Sequence, residues 1–285
     1  MRARDLLVVL DASPHNGARL DLALDLARAG GAHLSGLCPL ELLLPPDLGI
    51  ALGGYPEVLA LQSAMDQLGA QAESRAAEIE AEFREALRRN GVAGEFRTLP
   101  GPVAPGLAAA ARHADATLIG QPDPEYRQPP AGRHMLEDVL LAAGRPLLIL
   151  PYAGRFPAIG RKVLIAWSDT REAARAVADA LPLIEPDAEV TVLTVARPAA
   201  ARTTDVPGAE IAAHLARHGF SVTATRAVTD GTISEADALL DYASDLGADL
   251  LVMGGYGHSR VRELALGGVT RSILAHMTLP VLMSH

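Results

Sequence analysis

The sequence lacks the features of a disulfide-bonded or membrane-spanning protein. Cys38 is the single cysteine among 285 residues, which excludes an internal disulfide and a cysteine metal cluster and favours a reducing compartment. No apolar run approaches the roughly 18 residues of a bilayer span. Near the amino terminus, Asp5 and Asp11 bracket an apolar run that is too short for the core of a signal peptide. We therefore expect a cytoplasmic protein with no membrane contact.

The charge balance argues against a nucleic-acid-binding protein. The net charge is -9 and the pI is about 5.5, so most of the surface repels a phosphate backbone. With 49% hydrophobic and 21% charged residues, the composition is that of a globular protein. The length is sufficient for about two domains of roughly 150 residues each.

Short apolar runs alternate with longer helical patterns along the whole chain. Runs such as LLVVL, ATLIG and PLLIL in the first half have counterparts in KVLIAW, LLVMG and LPVLMS in the second. Continuous apolar strands separated by helices predict parallel sheets covered on both faces. The expected fold class is α/β, with two doubly wound, Rossmann-like domains, each built on a five-stranded parallel sheet.

The two halves align with each other without a gap around the fourth predicted strand. An offset of 134 positions places Asp115 on Asp249, Gly120 on Gly254 and Pro146 on Pro280. This self-similarity predicts a tandem repeat. We expect domains at 1–153 and 160–285, joined by the linker that contains Pro151 and Gly160.

Only the second half carries a cluster of glycines after this strand. The stretch LVMGGYGHSRVRELALGGVTRSIL has five, whereas the first half has QPDPEYRQPPAGRH, with four prolines and acidic residues. Under the offset, Asp123 takes the place of Gly257, Arg133 that of Gly267, His134 that of Gly268 and Leu136 that of Thr270. A folding requirement shared by both halves would have kept the two loops alike.

The glycine stretch has the properties of a phosphate cradle. Glycines let backbone N–H groups approach an anion, and the positive end of the following helix dipole adds attraction. His258, Arg260 and Arg262 add positive charge. The GxxxxGK[ST] and GxGxxG motifs are absent. A purely structural alternative, in which the glycines only form turns and begin a helix, stays open.

The spacing from Gly254 through Gly257 to Gly267 resembles the adenine-nucleotide signature of the universal stress protein family. The resemblance covers the whole chain as two such domains, and LIAWSDTREAARAVADALPL adds to it. It implies that the second domain holds the nucleotide through the loop residues and those beside them, namely Met253, Gly254, Gly257, Gly267, Gly268, Val269 and Thr270. Gly268 departs from the serine or threonine that the family often has there.

The resemblance also implies an aspartate at the end of the first strand, where it contacts the nucleoside. Asp11 fits that place in the first domain, whereas the matching residue of the second domain is Ser168, with Asp169 one place later. The adenosine-side candidates of the second domain are Ala166, Ser168 and Val195. One domain thus keeps the acidic residue, and the other keeps the loop.

The expected ligand is ATP or a related adenine nucleotide, with magnesium accompanying the phosphate chain although no carboxylate is an evident ligand for it. The resemblance implies a signalling or protective role in the stress response, an internal pseudo-dimer with the last strands at its interface, further homo-oligomers and an unidentified protein partner. We assign no catalytic residue and no protein metal site, and expect at most a slow ATPase activity. The alternatives are a nucleotide-independent scaffold of the same fold and an adenylate-forming or nucleotide-hydrolysing enzyme.

Two further patterns have simpler explanations. Glu210, His214 and His218 recur every four residues on a predicted helix and could bind a metal, but a solvated helix face is the simpler and favoured interpretation. The apolar segment 40–65 could be a lid or a partner-binding surface, and packing against its own helix is the favoured interpretation.

Overall fold

The computed structural model describes residues 2–40, 55–125, 135–196, 207–229, 231–256 and 268–285, which form alternating strands and helices. The strands are β1 (Asp5–Val9), β2 (His33–Pro39), β3 (Gly94–Leu99), β4 (Ala116–Gly120), β5 (Leu147–Leu150), β6 (Lys162–Ala166), β7 (Glu189–Ala196), β8 (Ser221–Val228), β9 (Leu250–Gly254) and β10 (Val281–Ser284). The helices are α1 (Asn16–Gly30), α2 (Tyr55–Asn90), α3 (Val103–Ala111), α4 (Met135–Ala143), α5 (Arg171–Ala180), α6 (Ala209–Arg217), α7 (Glu235–Leu246) and α8 (Gly268–His276).

All ten strands belong to one sheet. Their order is β3-β2-β1-β4-β5-β10-β9-β6-β7-β8, so each half contributes five strands in the same relative order. Every pairing within a half is parallel, and the single antiparallel pairing joins β5 to β10. In that pair Leu148 lies opposite Leu282. The predicted fold class is confirmed, and the two five-stranded sheets continue into each other through the last strand of each half.

The core forms two layers, one on each face of this sheet. Successive side chains of a strand point to opposite faces, so Leu148 and Leu282 belong to one buried cluster while Ile149 and Val281 belong to the other. Both clusters contain residues of both halves, and these four side chains have no exposed surface. Because the two layers continue across the junction, the halves share their hydrophobic core.

Two equivalent aspartates anchor the amino ends of the inner strands. The Asp115 carboxylate accepts hydrogen bonds from the backbone N–H groups of Arg4 and Asp5, at 2.7 and 3.1 Å. The Asp249 carboxylate accepts from Gly160, Arg161 and Lys162, at 2.7, 3.0 and 3.1 Å. Asp115 therefore ties the start of β1 to β4, and Asp249 ties the start of β6 to β9. These two residues, which are 134 positions apart, have the same structural role in the two halves.

In the described part of the chain, no helix combines the length and apolarity needed to cross a membrane. Of the apolar segment 40–65, residues 41–54 lie outside the described residues, and α2 begins at Tyr55. The lid and packing interpretations of this segment therefore both stay predictions.

Candidate functional site

The adenosine-side candidates of the second half meet at the carboxyl edge of its strands. Ala166 ends β6, where it pairs in register with Leu193 of β7 on one side and with Met253 of β9 on the other. Val195 lies two residues further along β7. Met253 is buried, whereas Ala166 and Val195 are half-buried. This is the point where chain connections leave β6 and β9 in opposite directions, which is where doubly wound sheets bind ligands.

Gly254 is required by packing at this edge. A Cβ atom at position 254 would lie 2.6 Å from the backbone nitrogen of Ala173 and 2.7 Å from the carbonyl carbon of Glu172. Both atoms belong to the first turn of α5 and cannot move aside independently of the helix. The glycine therefore lets α5 start directly against the end of β9, whether or not a ligand is present.

The two described ends of the glycine stretch are tied together. The Thr270 hydroxyl accepts a hydrogen bond from the backbone N–H of Tyr256 at 3.3 Å, and Thr270 is 5% exposed. Tyr256 has a positive φ of 56°, a conformation unusual for a side chain of this size. Gly268 is exposed and begins α8, followed by half-buried Val269.

The structure brings Met253, Gly254, Gly268, Val269 and Thr270 to one edge of the sheet, and their binding of a nucleotide stays a prediction. Gly257 and Gly267, together with the basic residues His258, Arg260 and Arg262, lie outside the described residues. Their predicted contacts with phosphate stay predictions.

Ser168 stands in the loop between β6 and α5. Its exposed hydroxyl lies 3.2 Å from that of Thr170, which caps α5 by accepting a hydrogen bond from the Ala173 N–H at 3.2 Å. Asp169 is exposed and has a positive φ of 54°. Ser168 thus supplies a hydroxyl beside the carboxyl end of β6 but no negative charge.

Glu172 is a buried carboxylate that the sequence analysis missed. Its side chain is 4% exposed and pairs with the guanidinium of Arg171. Burial opposes ionisation of this carboxyl, but the hydrogen bonds from Arg171 and from its own backbone, with the nearby His285, lower its pKa overall. Glu172 is therefore ionised beneath Gly254. Glu172 lies four residues before the buried Ala176, so it is on the apolar face of α5, and this spacing could have predicted its burial.

The candidate edge also contacts the first half. A Cβ atom at Gly255 would lie 2.6 Å from Cδ2 of Leu140 in α4. The ring of Tyr256 lies near the Glu137 carboxylate, and burial together with this charge raises the pKa of its hydroxyl. Gly255 and Tyr256, the first residues after β9, therefore lie against α4.

The corresponding edge of the first half is built differently. The Asp11 carboxylate pairs with the guanidinium of Arg19 at 2.8 Å, and Arg19 is 3% exposed. This guanidinium lies against Gly120, where a Cβ atom would be 2.1 Å from one of its terminal nitrogens. Asp11 lies two residues after the end of β1, and both of its carboxylate oxygens are engaged, one by Arg19 and the other by the backbone N–H of Ser13 at 2.9 Å. An arginine on the otherwise apolar face of α1 was the signal for this pair.

No metal centre is present in the described ranges, where no group of three or more histidine, cysteine, aspartate or glutamate side chains could hold an ion. His214 lies in α6 and His218 directly follows it; their rings lie edge to face with centroids 4.8 Å apart, and both residues are exposed, as is Glu210. The exposed-face interpretation agrees with this placement.

Comparisons with known proteins point to one family. The sequence model of the universal stress protein family matches residues 160–285, the half that carries the glycine stretch. A universal stress protein of Synechocystis sp. is 44% identical over 46 residues. That match spans 16% of this chain and 16% of the relative, so it concerns a short stretch of both proteins.

Solved structures resemble nearly the whole chain. A universal stress protein from Archaeoglobus fulgidus has a TM-score of 0.70 at 18% identity, and the match covers 98% of this chain and 95% of that one. A functionally unknown protein from Pseudomonas aeruginosa has a TM-score of 0.60 at 15% identity, with coverage of 99% and 92%. At these identities the likeness concerns the fold. The matched sequence model shows that residues 160–285 form a domain of the universal stress protein family, and the whole chain has the fold of these solved structures.

Proposed function

We propose that the second half binds ATP or a related adenine nucleotide and that the protein acts in stress signalling or protection. The observation that carries the proposal is the assembly of Ala166, Met253 and Thr270 at the carboxyl edge of β6 and β9, on the half that the family's sequence model matches. A site for a nucleotide needs an apolar surface for the base and a set of donors for the phosphates. The edge offers both.

The base would lie on the apolar side of this edge. Ala166 and Val195 are half-buried and pack against the same core cluster that contains Met253. A purine ring placed over these side chains would cover apolar surface that is otherwise partly exposed, which is favourable at about 25 cal/mol per Å². The Ser168 hydroxyl at the mouth could donate to or accept from a sugar hydroxyl.

The phosphates would lie at the amino end of α8. The helix begins at Gly268, and no described atom lies within 4 Å of the position that a Cβ would take there. The first N–H groups of a helix attract an anion. The Thr270 oxygen already accepts from the Tyr256 N–H and still has its own proton to donate. The helix N–H groups and the Thr270 hydroxyl are uncharged hydrogen-bond donors, which suit the oxygens of a phosphate chain.

Magnesium would accompany the nucleotide through its phosphate oxygens. The nearest buried carboxylate, Glu172, is already engaged by Arg171. Since magnesium keeps most of its waters and takes few protein ligands, an ATP-bound ion does not need a dedicated protein cage. We therefore propose magnesium as a companion of ATP and not as an ion resident in the protein.

Calorimetric titration of nucleotide-stripped protein tests the proposal, with ATP and magnesium first and then ADP, AMP and cyclic AMP. We expect about one nucleotide per chain. The Gly257→Asp variant places an acidic residue where the first half has Asp123, and it should abolish binding. Gly69→Asp is the matched control, because it adds the same charge on α2, where nothing lies within 4 Å.

Absence of heat with intact protein, together with no protection against thermal unfolding by millimolar ATP, would contradict the proposal. Equal loss of binding in Gly257→Asp and Gly69→Asp would show that added negative charge, and not the loop, is responsible.

The nucleotide-independent scaffold stays a second candidate, and one observation favours it. Gly254 is explained by its close packing against the first turn of α5, with no ligand needed. Under this alternative, the glycine variants would change stability or oligomeric state, and neither they nor the wild type would show a nucleotide-dependent signal. Sedimentation of wild-type protein and of Gly257→Asp, with and without ATP, separates the two and also tests the predicted homo-oligomer.

A further inference from the structure

The outer strand of the second half, β8, forms one end of the ten-stranded sheet. It runs from Ser221 to Val228 and pairs only with β7 among the described strands. The N–H and C=O groups on its outer side therefore have no strand partner in the described part of the chain. Such an edge is a template for another strand unless charges, prolines or bulges protect it.

The two ends of the sheet differ in this protection. β3, at the opposite end, carries Glu95 and Arg97, which are exposed and form an ion pair at 3.4 Å. β8 has neither a proline nor an acidic residue, and Arg226 is its single charged residue. With eight residues it is also longer than β3, which has six. β8 is therefore the edge that is better suited to pairing with another strand.

Exposed apolar side chains lie at the carboxyl end of this edge. Three large apolar side chains are exposed in the described part of the chain, and two of them are Val228, at 53%, and Ile233, at 47%. Val228 ends β8, and Ile233 follows five residues later. Contact with another chain at this edge would remove apolar surface from water, which is favourable.

We propose that β8 pairs antiparallel with β8 of a second copy of this chain, so that two ten-stranded sheets become one. The two copies are then related by a twofold axis, which is the commonest symmetry of protein oligomers. The chain already uses one contact of this kind, because β5 and β10 pair antiparallel and join the sheets of its two halves. The β8 contact continues the same sheet at its free end.

The twofold axis restricts the register of this strand pair, because it keeps each face of the sheet on the same side. Side chains of β8 alternate between the faces. Val222 packs against one buried cluster and Ala227 against the other. Residues that lie opposite each other must therefore be an even number of positions apart in the sequence. The axis consequently passes at a residue and not between two residues.

An axis at Thr225 suits the side chains of β8. Val228 then lies opposite Val222 of the second copy, so an apolar pair covers each end of the contact. Arg226 lies opposite Ala224, whereas an axis at Arg226 itself would place two like charges together and destabilise the pair. Thr225 lies opposite Thr225 of the second copy, and two threonines are favourable cross-strand neighbours.

Charged residues at the axis test the interface by sedimentation. The wild type should have about twice the 29.8 kDa mass of one chain. Thr225→Lys and Thr225→Glu each place like charges opposite each other and should sediment as single chains. An equimolar mixture of the two variants should restore the double mass, because lysine then faces glutamate. Thr98→Lys, at an exposed position of β3, is the control and should keep the mass of the wild type.

Disulfide formation tests the register. In Thr225→Cys the two new cysteines lie opposite each other, with Cβ atoms about 4.5–5.5 Å apart, and mild oxidation should link the two chains. In Thr223→Cys the two cysteines lie four residues apart along the paired strands, which is about 13 Å, and they should not link. Wild-type protein, whose Cys38 is buried, gives the background. Electrophoresis without reductant measures the linked fraction.

The proposal is overturned if the wild type sediments as a single chain, if Thr98→Lys lowers the mass as much as Thr225→Lys, or if the mixed charge variants stay single chains. It is also overturned if Thr225→Cys links no more than Thr223→Cys. Should a charged variant not fold by circular dichroism, the comparison of the two cysteine variants still decides. These experiments contain no nucleotide, so their outcome is independent of the calorimetric titration that tests the proposed function.

Discussion

Arg271 of α8 donates a hydrogen bond from Nε to Oε1 of Glu137 in α4, at 3.2 Å. The two residues are 134 positions apart, the offset that places Asp115 on Asp249. Equivalent positions of the two halves therefore meet across the junction where β5 pairs with β10. Identical charged residues at these two equivalent positions would repel each other. In this chain the two residues carry opposite charges, so the contact is attractive.

The Glu137 and Arg271 pair predicts the outcome of charge reversal. Glu137→Arg or Arg271→Glu alone places like charges together and should lower the free energy of unfolding, whereas the double reversal should recover most of the loss. The Arg271 side chain is 65% exposed, so we expect a coupling of only about 0.2–1 kcal/mol. Urea denaturation of the four proteins measures it. Additive losses in the double variant would contradict the pairing.

The aspartates at the amino ends of the strands predict unequal losses of stability. Asp249→Ala removes an acceptor from three backbone N–H groups and Asp115→Ala removes one from two, so the first should cost more. Because these N–H groups are part-buried or exposed, each lost hydrogen bond should cost about 0.5–1.5 kcal/mol at most. Thermal unfolding is the measurement. Asp187→Ala, at an exposed position, is the control and should leave the unfolding midpoint unchanged. An equal fall of the midpoint in this control would show that the lost hydrogen bonds are not the cause.

The two candidate glycines predict opposite responses to alanine. Gly254→Ala places a Cβ 2.6 Å from a backbone nitrogen and should destabilise the protein by about 1–3 kcal/mol. Gly268→Ala places a Cβ at the start of α8 with no described atom within 4 Å, and it should stabilise the protein by about 0.4–1 kcal/mol. Both are read from denaturation curves. If Gly268→Ala also reduces the heat of ATP binding, its glycine serves the ligand and not the fold.

Tyr256 predicts a loss of stability at alkaline pH. Burial and the Glu137 carboxylate raise the pKa of its hydroxyl above the ordinary value of 10.0. The unfolded chain therefore releases this proton first as the pH rises, and its contribution to stability is complete below pH 10 and declines above it. Tyr256→Phe should show a flatter decline between pH 10 and 11. Parallel curves for the two proteins would contradict the raised pKa.

Periodicity alone was enough to predict the fold. Continuous apolar strands such as LLVVL and LLVMG can be covered on both faces only in a parallel sheet between helices, and the alternation along the chain then leaves few topologies. The glycines at 254 and 268 were singled out by their cluster after the fourth strand of the second half and by the resemblance to the family signature. The reason for a glycine at position 254 was not visible in the sequence, because the close approach of α5 to β9 depends on atoms far apart in sequence.

The sequence by itself determined the α/β class, the five strands of each half, the division near residue 160 as a prediction, and the asymmetry between Asp123 and Gly257. Local periodicity and residue type carry that information. The family resemblance implied that the last strands meet, and the structure shows that β5 and β10 pair antiparallel. Only the tertiary structure decided that Arg19 engages Asp11 and that Glu172 is buried beneath Gly254. These depend on which distant segments meet and on which charges lose their water, and neither is encoded in spacing along the chain.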